Sequence, residues 1–313
     1  MFPGFTDRDF DAYVPSKWKS NVFNRERLEV RQKLLALGKE LGGSLTAADG
    51  SPLSWEASVE HPALWNHKQV EAQHLFFSRN EGARKELDLI IDRSRPMSTM
   101  LEDSTPQRNH LFLCVSLDHE RIELALKLHP DARVDRQNLE RKLAEPWQRE
   151  RFLDLVRDLP GSYRIGVSGG AFHEVATFDD TLLRDVLSDF GRPELPGKTH
   201  TLVVGRSLSR EEAKSNGTEM VAVVRRELEA LLPIFHFVAW SRENDFVLMR
   251  EALKQEKQAR KQKGLAKNDK VRIVKGMLAG RVGVVQEIDA KGALKVLVGT
   301  VAVKVGAEEV EKV

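Results

Sequence analysis

VRIVKGMLAGRVGVVQEIDAKGALKVLVGTVAVKVGAEEVEKV, residues 271–313, decides the fold of the last part of this 313-residue chain. It contains five short runs rich in Val, Ile or Leu, at 271–274, 282–288, 293–298, 301–305 and 309–313. Breaks that contain Gly or Asp lie between the runs, and such breaks between apolar alternations are hairpin signals. Gly283 has no side chain to pack, so we expect another backbone or a bend beside it. The stretch therefore predicts a small, barrel-like antiparallel sheet.

The first half of this stretch, VRIVKGMLAGRVGVVQEIDAKG (residues 271–292), resembles the KOW motif. That motif is a strand–turn–strand element shared by the elongation factor NusG and certain ribosomal proteins, and Gly276, Gly280 and Gly283 fall where it has its glycines. Residues 293–313 resemble the rest of the Src-homology-3-like barrel that usually carries the motif. The resemblance implies association with nucleic acid, ribosomes or RNA polymerase, or use as a protein-binding module.

Positive charge is concentrated just before and at the start of this barrel. Residues 250–275 hold ten Lys or Arg and three Asp or Glu, a net of +7, whereas residues 1–249 carry a net of −5 and residues 276–313 are neutral. A cationic cluster attracts phosphate backbones through counterion release. The other interpretation is a solubilising linker or a solvated helix, because glutamate and glutamine residues dilute the charge.

Two sets of basic residues are therefore candidates for phosphate contacts, which position a protein on nucleic acid without reading its sequence. The linker set is Lys254, Lys257, Arg260, Lys261 and Lys263. The barrel set is Lys270, Arg272, Lys275 and Arg281.

Residues 1–249 predict an α+β domain, because helical and strand patterns alternate irregularly and include an antiparallel hairpin. The hairpin joins strands 110–117 and 122–128, and further strands are predicted at 73–78, 163–167, 201–204 and 234–240. Predicted helices include one capped by Asn24 and ended by Gly42, and others at 135–143, 146–159, 181–190 and 217–232. Pro233 is expected to stop the last of these helices, and residues 43–62 are expected to form a loop.

The predicted organisation is thus an α+β domain at 1–249, a basic helical linker at 250–269 and a KOW-type barrel at 270–313. Three segments of the first domain resemble a small family of uncharacterised bacterial proteins typified by YktB. These are FPGFTDRDFDAY (residues 2–13), HLFFSRNEGARKELDLI (74–90) and ELEALLPIFHF (227–237). This resemblance implies a fold and no activity.

His67, Glu71 and His74 are a candidate metal site. Spacings of four and three would place two imidazoles and a carboxylate on one face of a helix, as in zinc sites. The alternative is an ordinary polar edge of the strand predicted at 73–78.

Two further clusters are candidate catalytic residues. His129, Asp131 and Asp135 could bind a divalent ion or act as acid and base, although a turn at 129–132 and a helix cap at Asp135 also explain them. Ser168 lies in GVSGG (residues 166–170), which has the spacing of a nucleophile elbow. A glycine turn after a strand explains the same residues.

Amino-acid composition bears on the cellular compartment of the protein. The single cysteine, Cys114, excludes an intrachain disulfide and is typical of a reducing cytosol. No run approaches the ~18 apolar residues of a membrane span, and the first residues lack a signal-peptide pattern. We expect a cytoplasmic, non-enzymatic factor without a cofactor or a membrane partner, which binds RNA or DNA, a ribosome or RNA polymerase. The alternatives are a nuclease or hydrolase that the barrel delivers to nucleic acid, and a protein-binding scaffold.

Overall fold

The computed structural model describes residues 1–59, 69–94, 109–192, 200–246, 267–275, 278–288, 293–306 and 309–313. The chain divides into two units, Met1–Val247 and Leu248–Val313, hereafter the N-terminal and C-terminal units. Helices and strands are mixed, and every pair of neighbouring strands is antiparallel. The chain is therefore an α+β protein.

The N-terminal unit is built on a seven-stranded sheet of order β1-β2-β3-β4-β7-β5-β6. Its strands are β1 Ser54–Ala57, β2 Gln73–Ser78, β3 Phe112–Leu117, β4 Arg121–Leu128, β5 Arg164–Val167, β6 Phe172–Glu174 and β7 Leu202–Ser209. The predicted strand 73–78 and the predicted hairpin, now β3 and β4, are confirmed. The prediction of a loop over residues 43–62 is wrong at β1, which pairs with β2 from Ser54 to Ala57.

Within the described residues, the N-terminal unit also contains eight α-helices. They are α1 Asp7–Asp11, α2 Asn24–Leu41, α3 Glu81–Ser94, α4 Arg133–Ala144, α5 Pro146–Arg157, α6 Asp180–Phe190, α7 Arg210–Ser215 and α8 Met220–Val238. Side chains of β4 that point to one side, Ile122, Leu124, Leu126 and Leu128, are fully buried in a core shared with α2 and α8. Every second residue of β4 thus points to the same side of the sheet and packs in one core with the apolar faces of α2 and α8.

Helix α8 overturns the prediction of a helix end at Pro233 and of a strand at 234–240. The helix runs from Met220 to Val238 with Pro233 inside it. Proline removes one helical hydrogen bond. Continuing the helix, however, buries Ile234, Phe235 and Val238 at helical spacing in the core. Burial of these large side chains outweighs the local cost of the proline.

Two residues predicted as helix caps lie inside their helices. Asn24 is the first residue of α2, and its Oδ1 accepts a hydrogen bond from Arg27 Nη1 at 2.9 Å. Asp135 is the third residue of α4, and its carboxylate binds Arg79. Asn24 thus binds an arginine of its own helix and Asp135 one that is 56 residues away, neither of which the capping rule anticipates.

The C-terminal unit contains a five-stranded sheet of order β11-β10-β9-β8-β12. The strands are β8 Lys270–Ile273, β9 Val282–Ile288, β10 Leu294–Val298, β11 Val301–Val305 and β12 Val310–Lys312. All five lie where the sequence predicted strands. Its core consists of Val271, Ile273, Val285, Leu294, Val296 and Val310. Gly283 lies against β10 as expected, because an added Cβ would be 2.6 Å from the carbonyl oxygen of Leu297.

Within the described ranges, no helix is long and apolar enough to cross a bilayer.

Gly205 of β7 offers a test of the sheet packing. We expect Gly205→Ala to lower the free energy of unfolding by about 1–3 kcal/mol, because overpacked sites force their neighbours to move. The added Cβ would lie 2.4 Å from the carbonyl oxygen of Leu124 and 2.6 Å from the Cβ of Ala125, both on β4. The measurement is urea unfolding. Gly161→Ala is the control, because no atom lies within 4 Å of its added Cβ; equal stability of the two variants would contradict the packing argument.

Candidate nucleic-acid interface

Strand β8 separates apolar from basic side chains. Val271 and Ile273 are buried in the core of the C-terminal unit, whereas Lys270 and Arg272 are exposed. Successive side chains of a strand point to opposite faces of the sheet, so the two cations lie on the face away from the core. We call this solvent-exposed side of the five-stranded sheet the outer face.

Strand register adds two more cations to the outer face. Lys270 is opposite Val284 of β9, and Val284 is opposite Leu297 of β10. Lys295 precedes Leu297 by two residues and therefore points to the same side. Lys304 of β11 lies directly opposite Lys295. Both lysines are exposed.

The pairing of Lys295 with Lys304 is unfavourable within the protein itself. Like charges directly opposite each other on neighbouring strands destabilise a sheet. Glu287 of β9 lies opposite Lys295 on its other side, and Glu311 of β12 lies opposite Arg272. Each of these two carboxylates is the register neighbour of one outer-face cation. Over the described residues of the C-terminal unit there are eight Lys or Arg and four Asp or Glu, a net of +4.

Lys275 and Arg281 lie beyond the end of β8, in the connection to β9. The backbone holds this connection closed: Ile273 N donates to Arg281 O at 2.8 Å, and Gly280 N donates to Ile273 O at 2.7 Å. Both basic side chains are exposed. They add two exposed positive charges between β8 and β9 in sequence. The five predicted linker contacts, Lys254, Lys257, Arg260, Lys261 and Lys263, lie outside the described residues.

The C-terminal unit has no aromatic side chain. Residues 247–313 contain no Phe, Trp, Tyr or His. Proteins that grip single-stranded nucleic acid stack its bases on aromatic rings. The outer face supplies ammonium and guanidinium groups instead, which bind phosphate oxygens. Its chemistry is therefore suited to the nucleic-acid backbone.

The candidate metal site is only partly within the described residues. His67 lies outside the described residues, Glu71 is exposed before β2, and His74 is within β2. The helical spacing therefore does not apply to His74, whose Nδ1 lies 2.8 Å from Ser116 Oγ of β3. Searched over the described part of the chain, His, Cys, Asp and Glu form no group of three that could hold a metal ion.

His129 and Asp131 form a local turn, as the structural interpretation had it. The backbone N–H of Asp131 donates to His129 Nδ1 at 3.1 Å, and Ala132 N donates to His129 O at 3.0 Å. His129 Nδ1 also lies 3.5 Å from Asp131 Oδ2. Asp135, the third member of the proposed cluster, faces other partners.

Asp135 forms a fully buried ion pair with Arg79, the residue after β2. Arg79 Nη1 donates to Asp135 Oδ2 at 2.8 Å, and Arg79 Nη2 donates to Asp135 Oδ1. The backbone N–H groups of Leu111 and Trp240 donate to the same carboxylate at 2.9 and 2.8 Å. Burial raises the pKa of Asp135, but the charge and hydrogen bonds of Arg79 outweigh it and hold the pKa below its usual range. This carboxylate is structural.

Ser168 lies in the hairpin turn between β5 and β6. A nucleophile elbow joins a strand to a helix, so the elbow hypothesis does not fit this connection. Thr201 N donates to Ser168 Oγ at 2.9 Å, and Ser168 N donates to Thr201 O at 2.8 Å. The serine thus fastens the turn to the residue before β7.

Comparison with known proteins leaves both resemblances as predictions. No protein-family model matches the chain, and no curated protein matches it.

The buried ion pair gives a stability prediction. We expect Asp135→Asn to lower the free energy of unfolding by about 3–5 kcal/mol, because it leaves the buried Arg79 charge without a counter-charge. Because the pKa of Asp135 is depressed on folding, the difference between wild type and variant should be full above the unfolded value, about 3.9, and should shrink as the pH falls below it.

Urea unfolding at pH 7 and at pH 3 measures this difference. Glu81→Gln is the matched control, since Glu81 pairs with Lys85 on the surface and its side chain is 76% exposed; it should leave the stability nearly unchanged. A neutral effect of Asp135→Asn at pH 7 would contradict the prediction.

Proposed function

We propose that this protein is a non-enzymatic factor that binds nucleic acid or a nucleoprotein machine, a ribosome or RNA polymerase, through the outer face of its C-terminal sheet. The observation that carries the proposal is the presence of Lys270, Arg272, Lys295 and Lys304 on one exposed face. The basic linker at 250–269 adds to the same attraction.

The resemblance to a KOW-type barrel is part of the proposal. The strand–turn–strand element predicted for residues 271–292 corresponds to β8 and β9, which pair directly. Residues 293–313 add β10, β11 and β12 to the same sheet. This arrangement supports a module that associates with RNA polymerase, ribosomes or nucleic acid.

Binding proceeds through phosphate contacts and release of counterions. Lys270 and Arg272 are two residues apart, so their Cα atoms lie about 6.6 Å apart along β8. Their ammonium and guanidinium groups can then meet successive phosphates of one strand. Because no ring is available for stacking, the affinity should depend on the number of phosphates and little on base sequence.

Neutralising the outer face should flatten the salt dependence of binding. The variant Lys270→Gln, Arg272→Gln, Lys295→Gln and Lys304→Gln removes four contacts. For a duplex, the slope of log affinity against log salt concentration should become less steep by about 3 to 4, since each phosphate contact contributes about 0.9. Fluorescence anisotropy with labelled duplexes of two unrelated sequences measures both this slope and the sequence independence.

The control variant carries the same number of changes on the N-terminal unit, at the exposed residues Lys19, Arg25, Lys39 and Arg133. It should keep the wild-type slope. A slope that falls equally in both variants would reflect net charge alone and would remove the outer face from the mechanism.

The linker is tested separately. Neutralising Lys254, Lys257, Arg260, Lys261 and Lys263 should also flatten the slope, because linker charges near a phosphate backbone release counterions in the same way. Titration of this variant and of the wild type with RNA and with DNA over the same range of salt concentrations measures the slope. An unchanged slope would confine binding to the sheet.

Sedimentation of the tagged protein from lysate, with and without nuclease treatment, tests the proposal as a whole. Co-migration with ribosomes or polymerase, together with salt-sensitive binding of purified nucleic acid, supports it. Co-migration that resists both nuclease and salt would instead favour the protein-binding scaffold. A protein partner could then contact the exposed apolar side chains of the C-terminal unit, which include Val274, Val282, Ile288 and Val301. Cleavage of RNA or DNA by the purified protein would overturn the non-enzymatic assignment.

A further inference from the structure

The N-terminal unit contains a cavity of about 500 Å³ beside the carboxyl end of α8. This volume is in the range of small-molecule sites. Apolar walls come from Leu155, Pro233 and Phe237, and basic side chains come from Lys142 of α4 and Arg151 of α5. Every described residue that lines the cavity belongs to the N-terminal unit.

Lys142 is a buried cation that faces this cavity. Only 4% of the residue is exposed. Its Nζ donates to the carbonyl oxygen of Phe237 at 2.6 Å and lies 4.2 and 4.9 Å from the ring centroids of Phe237 and Phe246. Among the described residues no carboxylate pairs with it. An ammonium group has three donors, so the carbonyl accounts for one of them.

Arg151 brings a second positive charge to the same cavity, and it too forms no ion pair with the residues that the structure describes. Burial and, to a smaller extent, the positive charge of Arg151 together lower the pKa of Lys142 to about 8. Lys142 is the buried one of the two cations, and a buried charge is unfavourable unless an anion pairs with it.

The other charged or titratable groups of the cavity wall are Asp49, Glu243 and His236. Asp49 accepts from Ser51 N at 2.9 Å, Glu243 accepts from Ser241 Oγ at 3.2 Å, and His236 Nε2 lies 2.8 Å from Thr46 O. The two carboxylates are thus engaged with neighbouring loop residues. Neither lies within ion-pair distance of Lys142.

A purely structural role explains only part of this arrangement. Lys142 caps the carboxyl end of α8 through Phe237, where a positive charge is favourable. That role needs neither a cavity of ligand size nor Arg151.

We propose that the cavity binds a small ligand with an oxyanion, a carboxylate or phosphate, attached to an apolar body. The oxyanion accepts from the remaining N–H groups of Lys142 and from Arg151, and so supplies the counter-charge that the described protein atoms do not. The apolar body lies against Leu155, Pro233 and Phe237.

Thermal shift and isothermal titration calorimetry of the full chain test this site with benzoate and phenyl phosphate as probes. Benzyl alcohol and benzylamine are the neutral and cationic controls. We expect the two oxyanions to raise Tm in a saturable way and the two controls to leave it unchanged. At pH 8, benzoate binding should take up about half a proton, because Lys142 is half protonated when free and fully protonated beside the anion. Titration in buffers of different ionisation enthalpy measures this uptake.

Lys142→Met keeps the length of the side chain and removes its charge, so oxyanion binding should weaken at least tenfold and the proton uptake should disappear. Arg151→Gln, an exposed position, should weaken binding severalfold with the fold intact, and it decides the matter if Lys142→Met does not fold. Arg133→Gln is the matched control on α4. Absence of saturable oxyanion binding, or equal binding by wild type and Arg151→Gln, would overturn the proposal.

Discussion

The buried carboxylate of Asp135 is the point on which the N-terminal unit depends. It receives both nitrogens of the Arg79 guanidinium and the backbone N–H groups of Leu111 and Trp240. These partners come from the end of β2, the approach to β3 and the segment after α8, while Asp135 itself belongs to α4. One side chain therefore fixes four segments that are far apart in sequence. Because a buried charge is tolerated only when it is paired and fully hydrogen-bonded, the four segments must meet in one arrangement.

The contacts around Asp135 also fix the chain segment that borders the cavity beside the carboxyl end of α8. Arg79 Nη2 also donates to the carbonyl oxygen of Trp240 at 3.1 Å, which holds the chain just past α8. Asn244 Nδ2 donates to the carbonyl oxygens of His236, Phe237 and Ala239, so the last turn of α8 is covered by side chains rather than by further helix. Lys142 completes this layer from α4. The part of the cavity wall at the end of α8 is thus held by hydrogen bonds within the fold, as is usual for a largely pre-formed pocket.

Local sequence patterns predicted the positions of many strands and helices, but they did not predict which residues from distant parts of the chain lie side by side. Strands β2, β9 and β11 lie at the predicted residues, because alternation and glycine breaks are local signals. The continuation of α8 through Pro233 was not predicted, since it depends on burial of Ile234, Phe235 and Val238. Lys270 and Arg272 could be named from sequence, whereas Lys295 and Lys304 join them only through strand register. Burial of Lys142 likewise depends on packing between α4 and the end of α8, which residue spacing does not reveal.

The lack of rings in the C-terminal unit has a practical consequence for studies of folding. All five tryptophans and both tyrosines of the chain belong to residues 1–246. Intrinsic fluorescence and near-ultraviolet absorbance consequently monitor the N-terminal unit alone, and melting of the five-stranded sheet gives no signal in either. A two-state fluorescence trace would describe only the unfolding of the N-terminal unit. A tryptophan placed at the exposed Val282 would give the sheet a reporter of its own.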